Sequence, residues 1–135
     1  MKGLRLDHAT LNTVELEASL AFYARFLNLR PGWRPDFGFP GAWLYPEDGD
    51  YAIIHLIEGD APEGSGRFNH IAFRGCDLQA YLEKLRAGED WFQAAPVPGT
   101  PFTQVHHFDP NGVKIEVLFE ESLGASDVSS GGMPG

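Results

Sequence analysis

An α+β fold built from two βαβββ modules is what this 135-residue sequence predicts, and three observations predict it. Displaced along itself by 62 residues, the chain sets Leu6 on Phe68, His8 on His70, Ala9 on Ile71 and Leu11 on Phe73, the self-similarity of a repeated structural unit. The same displacement carries Leu16, Leu20 and Tyr23 onto Leu78, Leu82 and Leu85, an i, i+4, i+7 apolar stripe of a helix in each half. Tyr51–Ile57 and Gly112–Phe119 match at a displacement of 61, with His55 on Glu116, so each half closes on a strand.

The elements follow in order. Alternating apolar residues from Leu6 to Leu11 read as the first strand, and the Leu16 stripe as the first helix. A weaker strand pattern spans Leu29 to Arg34, and a stronger one Gly41 to Tyr45. The turn formers Pro46 to Asp50 then lead into the closing strand. Gly59 to Gly66, rich in Gly and Pro, is a loop between the halves. In the second half the same order runs through Phe68–Phe73, the Leu78 helix, Trp91–Val97, Phe102–Phe108, the turn Asp109–Gly112 and the last strand. These form one expected domain over residues 1–120, with modules at about 4–58 and 66–120, followed by a flexible tail over 121–135.

Composition narrows the function classes. Aliphatic and aromatic residues make up 43% of the chain, yet no run approaches the ~18 apolar residues of a membrane span. The opening Met1 to Arg5 runs directly into strand pattern, which predicts no signal peptide. Cys76 stands alone and cannot pair within the chain, which fits a cytoplasmic protein. A net charge of −9 disfavours nucleic acid and anionic membrane surfaces. No Gly-rich phosphate loop joins a strand to a helix, so no nucleotide cofactor is expected.

Strand alternation sorts the polar residues by face. His8, Thr10 and Asn12 share one side of the first strand, opposite Ala9 and Leu11. His70 lies opposite Ile71 and Phe73, His55 opposite Ile54 and Leu56, and Glu116 opposite Ile115, Val117 and Phe119. A potential metal ligand thus recurs at repeat-related positions on the sheet side away from the helices. His106 shares a face with Gln104, while His107 joins Val105 on the other.

With these residues in place, the chain resembles the vicinal oxygen chelate superfamily, which includes glyoxalase I, methylmalonyl-CoA epimerase, extradiol dioxygenases, fosfomycin resistance enzymes and bleomycin-binding proteins. The marks are Leu6-Asp-His-Ala-Thr-Leu, Leu20-Ala-Phe-Tyr-Ala-Arg-Phe-Leu, Asn69-His-Ile-Ala-Phe and Phe108-Asp-Pro-Asn-Gly-Val-Lys-Ile-Glu-Val. The resemblance implies a cupped mixed sheet with helices on its outer face, a homodimer, and a divalent metal (Fe, Mn, Ni or Zn) held by His8, His70 and Glu116. Glyoxalase-like members use a fourth ligand, at the position where this chain carries His55.

Two imidazoles and a carboxylate leave metal positions open for a small oxygenated substrate, whose developing negative charge the metal would stabilise. With His55 on the metal, lyase or isomerase chemistry is expected; with His55 off it, the triad resembles an Fe(II) site for ring-cleaving dioxygenation. Glu116, His55 and His106 are the candidate catalytic groups. Thr10, Asn12, Arg34, Trp43 and Gln104 are the candidate substrate contacts, with the aromatic segment Trp33 to Tyr45 walling a pocket for a flat or apolar group. A non-catalytic protein that sequesters a drug or toxin, as bleomycin-binding relatives do, is the competing class.

Overall fold

The computed structural model describes residues 3, 6–64, 66, 68–124 and 127. They fall into two compact units, residues 1–62 and 63–135, with the boundary inside the Gly59–Gly66 stretch.

The first unit contains β1 (Ala9–Thr13), α1 (Leu16–Leu27), β2 (Arg30–Pro31), β3 (Gly41–Tyr45) and β4 (Ile54–Glu58). The second contains β5 (Ile71–Arg74), α2 (Leu78–Ala87), β6 (Gln93–Pro96), β7 (Thr103–Phe108) and β8 (Lys114–Phe119). Each unit is βαβββ, as the repeat predicts. Each carries its own open four-stranded mixed sheet, ordered β1-β4-β3-β2 and β5-β8-β7-β6. The first strand of each unit runs parallel to the last, and the other pairs are antiparallel.

The apolar stripes face the sheets. Tyr23 and Phe26 of α1 are buried with Leu44, Ile54 and Leu56, and in the second unit Leu78, Tyr81, Leu82 and Leu85 are buried with Val105, Ile115, Val117 and Phe119. Burying such side chains stabilises each unit by roughly 1.5–3 kcal/mol apiece. The repeat extends to the helix starts. The Leu16 amide donates to Glu58 Oε2 at 2.8 Å, and the Leu78 amide to the Glu121 carboxylate at 3.1 Å. Both helices therefore begin against a carboxylate supplied from the far end of their own unit, which satisfies a first-turn donor and suits the dipole.

Strand boundaries differ from the sequence expectation in a consistent way. β1 and β5 start at Ala9 and Ile71 rather than at Leu6 and Phe68, because their ladders with β4 and β8 begin at the Ala9–Ile54 and Ile71–Ile115 pairs. His8 and His70 thus sit one residue ahead of their strands. β2 shrinks to two residues. Pro31 has no amide to donate, and Gly32 lies against the Tyr45 ring, where an added Cβ would come within 2.7 Å of ring carbons.

Part of the expected tail is engaged: Asp127 is buried and accepts from Gln79 Nε2, the Gly124 amide and Arg86. Residues 125, 126 and 128–135 lie outside the described residues. No helix among the described residues is long and apolar enough to cross a membrane.

Candidate functional site

In the first unit, register places Thr10, His55 and Trp43 side by side across β1, β4 and β3. On this helix-free face the rings stack. His55 lies flat on Trp43, with centroids 4.1 Å apart and planes 12° from parallel, and His8 lies flat on His55 at 3.7 Å and 13°. Burial and the neighbouring His8 hold the His55 pKa below its usual value, which disfavours the charged form of the middle ring of the stack. Stacked this way, the lone pairs of His8 and His55 lie in two nearly parallel planes.

A cavity of about 160 Å³ opens beside the stack, lined by Thr10, Arg34, Phe37, Phe39, Trp43, His55, Leu56 and Ile57. Phe37, Phe39 and Trp43 of the aromatic segment line it together with Arg34, while Trp33 and Tyr45 are outside the lining. Asn12 is exposed and outside this lining.

In the second unit the corresponding row is Ala72, Glu116 and His106. Glu116 is 9% exposed, and its Oε1 accepts from His106 Nε2 at 2.7 Å. His70 Nε2 lies 3.5 Å from the same oxygen, and the His70 and His106 rings meet edge to face at 5.8 Å. A buried carboxylate needs a donor such as the His106 N–H, because an unpaired charge there is costly. Gln104, opposite Leu118, lies along β7 on the His106 face. His107 points the other way into the core, as alternation predicts, where its Nε2 is 2.6 Å from the Tyr81 hydroxyl.

Two residues that sequence reasoning passed over complete the picture. His8 Nδ1 donates to Asp7 Oδ2 at 2.7 Å, and His70 Nδ1 donates to Asn69 Oδ1 at 2.7 Å. Each bond fixes the ring tautomer with its proton on Nδ1 and makes Nε2 the lone-pair atom, the form in which an imidazole binds a metal. The signal was present: both members of Asp7-His8 and Asn69-His70 recur at the displacement of 62.

These donors, imidazole nitrogens and a carboxylate, are of the type a divalent metal takes. No group of three His, Cys, Asp or Glu side chains is gathered tightly enough to hold an ion among the described residues. Chemically, the His106–Glu116 pair holds a proton between an imidazole and a buried carboxylate, and the first unit offers an aromatic wall with one cation.

Comparison with known proteins agrees with the fold of the two units. The model of the Glyoxalase/Bleomycin resistance protein/Dioxygenase superfamily matches residues 5–117. A lactoylglutathione lyase of Escherichia coli O157:H7 is 29% identical over 130 residues, covering 90% of this chain and 96% of that protein. One from Salmonella typhimurium is 28% identical over the same shares. Among solved structures, the fosfomycin resistance protein FosX from Listeria monocytogenes superimposes with a TM-score of 0.69 at 20% identity, covering 88% of this chain and 93% of that one. A glyoxalase/dioxygenase from Nostoc punctiforme does so at 0.68 and 22%, covering 87% and 92%. At these identities the solved structures show the shared fold.

Proposed function

The chain belongs to the Glyoxalase/Bleomycin resistance protein/Dioxygenase superfamily, and on that premise we propose that it is a metal-dependent enzyme acting on a small oxygenated substrate by lyase or isomerase chemistry. His8, His70 and Glu116 are its metal ligands. The observation that carries the reading is the pair of fixed tautomers: Asp7 and Asn69 each hold the Nδ1–H of the following histidine at 2.7 Å, which makes Nε2 the lone-pair atom of both rings. A merely solvated histidine has no need of such a partner, and here it occurs at both repeat-related positions.

A bound divalent metal would supply Lewis acidity toward two adjacent substrate oxygens. The chain's own groups do the rest. Glu116 Oε1 and His106 Nε2, 2.7 Å apart, form the route by which a proton leaves or returns to the substrate. Thr10 presents a hydroxyl beside the Trp43–His55 wall, where it can hydrogen-bond a substrate oxygen. Lyase chemistry is favoured because the curated relatives spanning 90% of the chain are lactoylglutathione lyases.

One observation supports a second reading. His55 is stacked flat on His8, and a two-histidine, one-carboxylate set without it suits Fe(II) and dioxygen. A homodimer in the cytoplasm is the state we propose, the latter from the single exposed thiol of Cys76.

The test is metal content of untagged protein beside His8→Ala and Glu116→Ala. About one metal per chain, lost in both variants, supports the site. Solvent deuterium entering an α-hydroxy ketone without oxygen uptake then selects proton transfer, and oxygen uptake by the iron-loaded protein with catechols selects dioxygenation. No metal under any loading condition overturns the enzyme reading and favours a sequestering protein.

A further inference from the structure

We propose that the cavity of the first unit is a binding site for a planar aromatic anion, a single ring stacked on Trp43 with its carboxylate or equivalent anionic group on Arg34. That this ligand is the enzyme's substrate rests on the function proposed above; the site itself does not.

Arg34 is an unusual cation for its setting. The chain carries 19 acidic residues, yet Arg34 forms no ion pair among the described residues. Its guanidinium is instead held by rings, 5.0 Å from the Phe37 centroid and 5.1 Å from that of Phe39. One nitrogen donates to the Phe39 carbonyl at 3.1 Å. Nε is buried and has no hydrogen-bond partner among the described residues. A buried donor left without an acceptor is costly and calls for a partner. The Nε edge of a guanidinium is also one of the forks that takes a carboxylate through two parallel bonds.

The sequence is arranged to keep the side chain there. Gly38, at φ +80°, turns the loop between Phe37 and Phe39, with its amide on Asp36 Oδ1, so that both rings reach the same guanidinium. Gly41 lets the arginine lie over β3: a Cβ at that position would be 2.8 Å from an Arg34 terminal nitrogen and 2.3 Å from the Leu56 carbonyl oxygen. The cation is therefore fixed before any ligand arrives, which lowers the ordering cost of binding.

Size and walls define the rest of the ligand. A volume of about 160 Å³ is close to the ~150 Å³ of an engineered cavity known to hold benzene. Trp43, Phe37 and Phe39 line it with aromatic rings, His55 covers one face of Trp43, Phe37 and Phe39 stack on each other at 5.6 Å, and Thr10 joins the wall. A ring gains from these faces and an anion from the cation, and only a molecule carrying both uses the whole site.

Calorimetry in chelator, which removes any metal, tests this with benzoate as probe, benzyl alcohol as the ring without charge and acetate as the charge without ring. The expected result is that benzoate binds at least ~10-fold tighter than either, a span set by charge-assisted hydrogen bonds. Arg34→Gln should lose that advantage while binding benzyl alcohol as before, and Arg34→Lys, which keeps the charge but not the fork, should lose most of it. Benzoate binding no tighter than benzyl alcohol in the unmodified protein overturns the proposal, as does an unchanged benzoate affinity in a folded Arg34→Gln. Benzoate bound by a protein that takes up no metal would sink the enzyme reading alone. Metal-dependent turnover in a protein blind to benzoate would sink this site alone.

Discussion

Tyr81 and His107 meet in the core of the second unit, hydroxyl to Nε2 at 2.6 Å, with His107 only 1% exposed. Burial first, and the neighbouring His106 second, push the His107 pKa from 6.5 down to about 4. The folded state thus resists a proton that the unfolded chain accepts. A depressed histidine contributes stability that is fully present above pH 6.5 and is lost as pH falls toward 4. The whole effect is about 3 kcal/mol, at 1.36 kcal/mol per pKa unit. Denaturant midpoints between pH 7 and pH 4 should fall more steeply in the natural protein than in His107→Leu, which has no such proton to take up. Parallel slopes would contradict the assignment.

Glu58 and Glu121 should each matter more than a glutamate that caps no helix. Each receives the first amide of a helix, Leu16 and Leu78 respectively. Losing such a cap costs roughly 1 kcal/mol. Glu58→Ala and Glu121→Ala are expected to lower the urea midpoint at unchanged slope, each by about that energy, whereas Glu83→Ala on the exposed face of α2 should leave it in place. Equal midpoints for all three would remove the capping role.

The contrast between these glutamates shows where the sequence was legible. Element order, the helix stripes and the faces of His55, His106, His107 and Glu116 follow from periodicity, because strand alternation and helix spacing are local rules that tertiary structure leaves intact. Glu121 was placed in the tail because its partner, the Leu78 amide, is 43 residues away, and no local pattern reports a bond across that distance. β2 was overestimated for a similar reason: the approach of the Tyr45 ring to Gly32 ends the strand, and that contact exists only in the folded unit. Asp7 and Asn69 also sit at repeat-related positions, but which neighbour of a histidine accepts from its Nδ1 is set by side-chain rotamers that the repeat does not report.

Gly41→Ala is expected to be disproportionately harmful. The methyl would meet the Leu56 carbonyl oxygen at 2.3 Å, a backbone atom that cannot swing aside, and an Arg34 terminal nitrogen at 2.8 Å. Overpacking of this kind costs typically 1–3 kcal/mol. A thermal melt should show the loss, and Gly59→Ala, where nothing stands within 4 Å of an added Cβ, should melt near the natural protein. Indistinguishable melts would mean that the strand pair β3–β4 yields more easily than its register suggests.

Asn69 and Asp7 test the metal reading without touching a ligand. If each holds Nδ1 so that Nε2 is presented, removing the acceptor lets the ring rotate and populate the other tautomer, while every proposed donor atom remains. Loss of such an orienting partner typically weakens metal binding 10–100-fold. Asn69→Ala should therefore weaken uptake, measured by competition against a chromophoric chelator, within that range, and Asn69→Asp, which keeps an acceptor oxygen, should restore most of it. Asp7→Ala should act in the same direction through His8, whose ring is also braced by its stack on His55 at 3.7 Å, so its effect should be the smaller of the two. Unaltered affinity in both alanine variants would show that the tautomers are set by something other than these bonds, and would leave the paired Asp7–His8 and Asn69–His70 contacts as local turns of chain with no part in metal binding.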